Sequence, residues 1–322
     1  MIKGLLKLLV VVVVVALIGV FAWGYSGDRS VSELRARWAL PPSQFLQIDG
    51  LEVHLRDQGP HDDALPVLLV HGTSASLHTF EGWAREIAKT RRVISIDLPG
   101  FGLTGPNADR DYRIERYVEH VFAVLEHLRI ERVVLVGNSL GGEIAWHAAL
   151  ANPDRVVALV LVDSAGMPFS AKSIPIGFRM AANPILAPLL TVLTPRSIVA
   201  QSVRSTYGDP SKVTEETIDR YYELTLREGN RQALIDRFEQ MRFGDRVDGL
   251  KNIQRPTLIL WGARDQLIPV GNARLFADAI ANSELVIFGE LGHIPQEEDP
   301  LQSVAPVLRF LKTRACADCR VP

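Results

Sequence analysis

Residues 133–142 read Val133-Val134-Leu135-Val136-Gly137-Asn138-Ser139-Leu140-Gly141-Gly142. The four apolar residues at the start predict a buried strand, and the Ala- and Ile-rich segment that follows predicts a helix. A serine at such a sharp strand-to-helix turn crowds its neighbours, and glycines two positions before and after it relieve the clash. The following helix also directs its N-terminus at this point, which favours negative charge there. In this setting Gly-x-Ser-x-Gly predicts that Ser139 is a nucleophile with an accessible hydroxyl rather than a simple turn residue.

Further apolar, β-branched runs recur along the chain and predict the other strands of a mostly parallel sheet. Residues 44–48 and 51–56, joined by Asp49-Gly50, predict an opening antiparallel hairpin. Between the strands, segments with helical spacing such as 114–128 predict helices on both faces of the sheet. The buried parallel strands are predicted at 66–70, 92–96, 132–136, 156–162, 257–260 and 284–288.

The alternation of strands and helices stops between residues 167 and 248. This segment contains apolar stretches, several prolines and a helical pattern at 215–226, but no convincing strand. We therefore predict a helical cap inserted over the carboxyl edge of the sheet. The predicted domains are an N-terminal anchor at 1–27, a core formed by 28–166 and 249–322, and the cap at 167–248.

A serine nucleophile needs a base, which in turn is oriented by an acid. Of the eight histidines, only His293 lies beyond residue 147, and it follows an apolar run at the expected carboxyl end of a strand. The chain order serine, acid, histidine makes His293 the predicted base. Asp265 follows a buried strand 28 residues earlier and is the preferred acid. Asp163 ends the preceding strand and is the alternative acid, or else a capping residue of the turn.

The tetrahedral intermediate of such a reaction needs backbone N–H donors aimed at its negative oxygen. Leu140, directly after the nucleophile, is predicted to supply one of them. The second is expected from the loop at 71–74, where Thr73 is our choice and Ser74 a close alternative. His71 precedes Ser139 in the chain and is expected to pack beneath this loop rather than to act as a second base.

The composition fits a large globular protein. The chain has 322 residues, of which 47% are hydrophobic, and this is ample for a sizeable core. Lys and Arg number 35 against 37 Asp and Glu, so the charge gives no reason to expect a nucleic-acid partner. Export would permit a disulfide between Cys316 and Cys319, and a reducing cytosol would leave them as thiols. One such pair, without a second pair or a βαβ context, does not predict a zinc or redox site.

Residues 8–27 carry no charged side chain, and as a helix they would extend roughly 30 Å, the thickness of a bilayer core. We predict an uncleaved, single-pass transmembrane helix, with a cleaved signal or a buried core helix as alternatives. Lys3 and Lys7 precede this segment and arginines follow it, so the charge rule does not fix its orientation. The short charged head is typical of a signal anchor. It favours the bacterial inner membrane, with the catalytic domain on the periplasmic side.

These features together resemble the α/β-hydrolase superfamily over residues 42–312. The resemblance implies an eight-stranded, mostly parallel sheet with helices on both faces and an inserted cap. It also implies a triad formed by Ser139, Asp265 and His293, with no metal or organic cofactor. The motifs that carry it are His71-Gly72-Thr73, Asp97-Leu98-Pro99-Gly100-Phe101-Gly102, Gly137-Asn138-Ser139-Leu140-Gly141-Gly142, Trp261-Gly262-Ala263-Arg264-Asp265 and Gly292-His293.

Segments 71–79 and 97–105 look like those of bacterial lipases and esterases, and with an N-terminal anchor the chain is similar to membrane-anchored phospholipases A1. This resemblance implies cleavage of carboxylic esters, of lipids or other amphipathic acyl substrates, through an acyl-enzyme. Carbon–carbon bond hydrolases that act on ring-cleavage products have the same triad and are the alternative. A non-catalytic binding protein of the same fold is a further alternative, and the apolar cap could also contact lipid or a second copy in a homodimer.

Overall fold

The computed structural model of the chain describes residues 2–242 and 244–315. Cys316 and Cys319, whose pairing the sequence left open, lie outside the described residues. The strands are β1 (Ser43–Ile48), β2 (Leu51–Gln58), β3 (Val67–Val70), β4 (Val93–Ile96), β5 (Val133–Asn138), β6 (Val156–Val162), β7 (Thr257–Gly262) and β8 (Ser283–Phe288).

These strands form one eight-stranded sheet in the order β1-β2-β4-β3-β5-β6-β7-β8. β2 pairs antiparallel with both β1 and β4, and the remaining neighbours are parallel. Asp49 and Gly50 connect β1 to β2 with φ angles of 50° and 79°, the positive values that a two-residue hairpin needs. The predicted class, an α/β fold with a mostly parallel eight-stranded sheet, is confirmed.

Helices cover both faces of this sheet. Successive residues of β5 point to opposite sides, with Leu135 in one apolar cluster and Val134 and Val136 in another. Because both faces are buried, the strands are visible in the sequence as continuous apolar runs. The helices are α1 (Ile2–Gly24), α2 (Val31–Trp38), α3 (Glu81–Ile87), α4 (Ile114–His127), α5 (Leu140–Ala151), α6 (Ile176–Ala181), α7 (Ala187–Leu190), α8 (Arg196–Arg204), α9 (Glu215–Thr225), α10 (Asn230–Gln240), α11 (Gly271–Ala279), α12 (Pro295–Glu298) and α13 (Pro300–Thr313).

Helices α6 to α10 lie between β6 and β7, where the sequence predicts the cap. Residues 167–242 and 244–248, which are the described part of this segment, contain no strand. Because β6 and β7 are neighbours in the sheet, the chain leaves and re-enters the core at adjacent positions. The exact boundaries of the core and the cap stay a prediction.

The N-terminal apolar run forms α1, but among the described helices none is both long and apolar enough to cross a membrane. The prediction of a transmembrane anchor at 8–27 is therefore wrong. The predicted localisation, a single-pass protein of the inner membrane with a periplasmic catalytic domain, depended on that anchor and is wrong with it. The last residues of the uncharged run are hydrogen-bonded to the cap. Ser26 N–H donates to Val192 O at 3.0 Å, and Ser26 Oγ donates to Thr194 O at 2.9 Å.

Candidate active site

Ser139 lies at the tight turn between β5 and α5. Its φ of 54° is unusual for a residue with a side chain, and its N–H donates to Val162 O at 3.0 Å. The neighbouring glycines are sterically required. A Cβ at Gly137 would lie 2.0 Å from Gly141 O, and one at Gly141 would lie 2.1 Å from Val70 O. The structure thus shows why the turn has glycine two positions before and after its serine.

His293 and Asp265 are hydrogen-bonded at the carboxyl edge of the sheet. His293 Nδ1 lies 2.7 Å from Asp265 Oδ2, and both side chains are buried. Asp265 Oδ1 accepts the backbone N–H groups of Leu267 at 2.8 Å and Ile268 at 3.0 Å. These bonds fix the carboxylate, which in turn fixes the tautomer of the ring with Nδ1 as donor. The other ring nitrogen is then the one free to accept a proton.

Asn138, directly before the nucleophile, fastens the loop of the histidine to the strand of the serine. Its side-chain N–H groups donate to His293 O at 3.0 Å and to Val162 O at 3.1 Å. The His293 N–H donates to Thr206 O at 2.7 Å, so the same loop is also tied to the cap. The sequence analysis assigned no role to Asn138. Its place inside the serine motif was the only signal for it.

Asp163, the alternative acid, reaches the same place as Asp265. It directly follows β6 with a φ of 44°, it is completely buried, and its Oδ1 accepts Gly262 N–H at 2.9 Å. Asp163, Asp265 and His293 each have a nitrogen or oxygen within 4.8 Å of the others. Burial, reinforced by the Asp265 carboxylate, raises the pKa of Asp163 well above its usual range. The structure therefore brings together both acids that the sequence analysis treated as alternatives.

These three side chains have the donor types of a metal site, but their contacts are those of a hydrogen-bonded pair. The 2.7 Å between His293 Nδ1 and Asp265 Oδ2 is a direct hydrogen bond. Ligands held at about 2.0–2.2 Å from one ion lie farther apart than that. We therefore assign no metal to this cluster.

The predicted oxyanion residues flank the same turn. Leu140 is the first residue of α5, and Thr73 and Ser74 line the same cavity as Ser139 and His293. His71 lies beneath this loop, as predicted. Its Nδ1 donates to Gly72 O at 2.7 Å and its Nε2 accepts Leu98 N–H at 2.9 Å. Burial lowers the pKa of His71, which keeps the ring neutral in this arrangement. The assignment of Thr73 and Leu140 to the oxyanion hole stays a prediction.

The cavity that contains Ser139 and His293 has a volume of about 110 Å³. Its far wall comes from the cap and is largely apolar. Among the residues that line it, Arg231 is the one lysine or arginine, and its side chain is 5% exposed. The apolar cap residues of the wall include Phe178, Leu190, Leu193, Ile198, Val199, Val203 and Leu234.

The comparison with protein families agrees with this geometry. Residues 66–300 match the family described as the alpha/beta hydrolase fold. The chain belongs to this family. This α/β hydrolase is 33% identical over 276 residues to 2-hydroxymuconate semialdehyde hydrolase from Pseudomonas sp. (strain CF600), which covers 81% of this chain and 91% of the relative. It is also 30% identical over 271 residues to 2-hydroxy-6-oxo-2,4-heptadienoate hydrolase from Pseudomonas putida (strain F1). That alignment covers 81% of this chain and 93% of the relative.

Among solved structures, this α/β hydrolase is similar to a membrane phospholipase A described as a bacterial virulence factor. The TM-score is 0.75 at 23% identity, over 98% of this chain and 99% of that one. At this level of identity the likeness shows the fold alone.

The prediction that this α/β hydrolase cleaves carboxylic esters of lipids is contradicted by the two Pseudomonas relatives. The compounds in the names of these two hydrolases contain no ester group, so their hydrolysis must break a carbon–carbon bond. Of the two stretches that look like lipases, 71–79 contributes residues 72–75 to the wall of the Ser139 cavity, and 97–105 contributes none. Neither stretch therefore identifies the bond that is cleaved.

A second serine, histidine and aspartate meet in this α/β hydrolase. Ser43 Oγ lies 2.9 Å from His54 Nε2, and His54 Nδ1 lies 2.7 Å from Asp97 Oδ2. Burial opposes ionisation of Asp97, but His54 and its hydrogen bond outweigh it and hold the pKa of Asp97 well below its usual range. None of these three residues lines the cavity of Ser139. We interpret this cluster as structural, joining β1 and β2 to the loop after β4.

Proposed function

We propose that this chain hydrolyses a carbon–carbon bond in ring-cleavage products of the 2-hydroxy-6-oxo-2,4-dienoate class. The likeness to 2-hydroxymuconate semialdehyde hydrolase over most of both chains carries the proposal. The site supports it, because Ser139 and the Asp265-oriented His293 lie beside a largely apolar cavity, where the serine can attack a ketone or aldehyde carbonyl.

In the proposed reaction, Ser139 Oγ attacks the C6 carbonyl of the keto tautomer while His293, oriented by Asp265, takes its proton. The C5–C6 bond then breaks, and its electron pair is delocalised through C3=C4 into the C2 carbonyl. The resulting dienolate takes the proton back from His293 and leaves as a 2-hydroxy-2,4-dienoate. One water molecule hydrolyses the acyl-enzyme and releases the short carboxylic acid. One tetrahedral intermediate forms when Ser139 attacks the carbonyl and a second when water attacks the acyl-enzyme. The N–H groups of Thr73 and Leu140 would hold the negative oxygen of both.

Such a substrate carries a carboxylate at the end remote from the reacting carbonyl, and Arg231 supplies a matching cation in the cavity wall. Its Nη1 donates to Ser26 O at 2.8 Å and to Thr194 Oγ1 at 3.4 Å, and its Nη2 donates to Asp28 Oδ1 at 2.7 Å. These bonds use three of the five N–H donors of a guanidinium, which leaves two for a substrate carboxylate. We therefore infer that Arg231 binds that carboxylate.

Arg220, another buried arginine of the cap, is a weaker candidate for this role. Its guanidinium is ion-paired with Glu297. The same carboxylate accepts Tyr207 OH at 3.1 Å and Tyr221 OH at 3.0 Å. The charge of Arg220 is thus balanced within the protein. The partner of Arg231, Asp28, is in contrast half exposed and partly satisfied by solvent.

The test is to incubate the purified full-length chain with 2-hydroxy-6-oxo-2,4-heptadienoate and to measure the acetate released. Loss of the dienol absorbance is followed in parallel, and a p-nitrophenyl acyl ester serves as the comparison substrate. We expect stoichiometric acetate and a kcat/KM for the dienoate at least ten times that for the ester. Turnover of the ester without any acetate from the dienoate would overturn the proposal.

A further inference from the structure

The two buried acids at the ends of β6 and β7 have different sets of partners. Asp265 accepts two backbone N–H groups on Oδ1 and His293 Nδ1 on Oδ2. Asp163 accepts Gly262 N–H on Oδ1, whereas its Oδ2 is buried and has no hydrogen-bond donor within reach. Asp265 has three donors, as a buried carboxylate needs, and Asp163 has one. A buried carboxylate oxygen without a donor is costly, but a protonated oxygen in the same place can donate instead.

The groups that face Asp163 also oppose a second negative charge. They are the carboxyl groups of Asp265 after β7 and Glu298 on α12, whereas His293 after β8 also faces Asp163 but adds no negative charge. Two carboxyl groups that share one buried site cannot both be ionised without a large cost, so one of them keeps a proton. Burial first, and the Asp265 carboxylate second, raise the pKa of Asp163 well above its usual range. The Asp265 carboxylate is the acceptor that an Asp163 hydroxyl faces in this cluster.

We propose that Asp163 and Asp265 share one proton, that Asp163 carries it, and that its hydroxyl positions the Asp265 carboxylate for His293. Asp163 is then a positioning residue. It is also a reserve acid, since without the Asp265 charge it loses its proton and its own carboxylate faces the histidine. This inference rests on the proposed triad of Ser139, Asp265 and His293 and does not depend on the substrate class.

The first arm of the test compares Asp163→Asn with Asp163→Ala by the rate of labelling of Ser139 with a fluorophosphonate. This readout needs no knowledge of the substrate. The Asn amide can accept Gly262 N–H and donate to Asp265, so we expect it to restore most of the labelling rate that Ala loses. The labelling rate falls at low pH as His293 is protonated, and we call this part of the pH profile the acid limb. In Asp163→Ala the Asp265 carboxylate loses a donor and stabilises protonated His293 more strongly. The acid limb therefore moves to higher pH. In Asp163→Asn the limb should stay in place.

If Asp163 were ionised in the native protein, Asp163→Asn would remove a negative charge beside the base. The acid limb would then move to lower pH by half a unit or more, which would overturn the proposal. Because the position of the limb does not depend on the fraction of folded protein, a partly unfolded variant still gives an answer.

The second arm is a double-mutant cycle with Asp265→Asn. In the native background Asp163→Asn should lower the labelling rate a few-fold. In the Asp265→Asn background the same substitution should lower the rate by a factor at least ten times larger. Equal factors in the two backgrounds would show that Asp163 is no reserve acid. Ser139→Ala separates this failure from failure of the triad itself. If it still labels, the triad is wrong, and if it does not label while the cycle is additive, only the present inference is wrong.

Discussion

The side chain of Asn138 donates to the backbone carbonyl of His293 at 3.0 Å. Asn138 is the residue before the serine of the turn, so this bond ties the base to the nucleophile through the backbone and not through their reacting atoms. Its second donor is bound to Val162 O at the end of the next strand. One amide thus holds together the ends of β5 and β6 and the loop after β8. The relative position of serine and histidine depends on it.

Asn138→Ala should therefore slow the reaction of Ser139. It leaves the buried His293 carbonyl without this donor, which costs about 1–3 kcal/mol of stability, whereas Val162 O keeps the N–H of Ser139. Displacement of the base by about 1 Å can lower a rate by about 100-fold. We therefore expect the rate of fluorophosphonate labelling to fall at least tenfold. Asn107→Ala is the matched control, because Asn107 Nδ2 also donates to a backbone carbonyl, Asp111 O at 2.8 Å, outside the cavity. If both variants slow labelling equally once the folded fraction is corrected, the link between Asn138 and the base has no role.

The two serine–histidine–aspartate clusters give a second prediction. Ser139→Ala should abolish covalent labelling by a fluorophosphonate, whereas Ser43→Ala should retain it. Ser43 accepts from Arg56 Nε at 3.1 Å in addition to its contact with His54, so its loss should lower stability by about 1 kcal/mol. Intact-mass spectrometry of the labelled proteins measures both outcomes. A label that persists in Ser139→Ala and disappears in Ser43→Ala would reverse the assignment of the nucleophile.

The sequence was sufficient for the sheet, since strands buried on both faces are predominantly apolar, as residues 133–136 of β5 and all of β6 are. It was not sufficient to separate Asp163 from Asp265. Each acid follows its own strand, and only the pairing of β6 with β7 shows that the two share one place. The contact of Asn138 with His293 joins residues 155 positions apart and has no local pattern.

The N-terminal helix and the cavity wall show where pattern analysis fails. The apolar run at 8–27 has the length of a membrane span, but the sequence does not reveal that Ser26 at its end is bonded to the cap. Arg231 lies on the cap helix α10 between two polar residues, and in the sequence it cannot be distinguished from an exposed arginine. Its burial results from Ser26, Asp28 and Thr194, which come from two other segments.

Arg231→Gln should weaken binding of the dienoate specifically through its carboxylate. A hydrogen bond to a charged group contributes about 1.5–3 kcal/mol, so KM should rise roughly 10- to 100-fold while kcat changes less. The methyl ester of the same carboxylate should show little of this rise, because it has no charge for Arg231 to bind. Steady-state kinetics with the acid and its ester measure the difference.

Arg196→Gln is the control for this experiment, since Arg196 is also a cap arginine but is 38% exposed and bonded to Asp219 and Glu215. It should leave both KM values unchanged. A rise of the same size for the acid and the ester in Arg231→Gln would indicate a general disturbance of the cap, and the carboxylate-binding role would have to be abandoned.

Glu143 should make the stability of the protein depend on pH. It lies on α5 four residues after the nucleophile, where it is buried, and its nearest cation is Arg237, with Arg237 Nη2 3.6 Å from its Oε2. Burial raises the pKa of Glu143 from 4.5 to about 7, and Arg237 only partly opposes it. Below pH 4.5 the carboxyl is protonated in both the folded and the unfolded chain. Between that pH and about 7 only the unfolded chain ionises, so the free energy of unfolding falls as the pH rises and then levels off.

Glu143→Gln removes this titration while keeping the size of the side chain. At about 1.4 kcal/mol per pKa unit, its free energy of unfolding relative to the native protein should rise by on the order of 3 kcal/mol between pH 4.5 and pH 8. Urea unfolding at several pH values in this window measures the difference. Glu119→Gln, whose native side chain is 65% exposed, is the control and should follow the native curve. A constant difference in the free energy of unfolding between Glu143→Gln and the native protein across this window would contradict the prediction. It would mean that Glu143 stays ionised in the folded protein because the attraction of Arg237 outweighs the effect of burial.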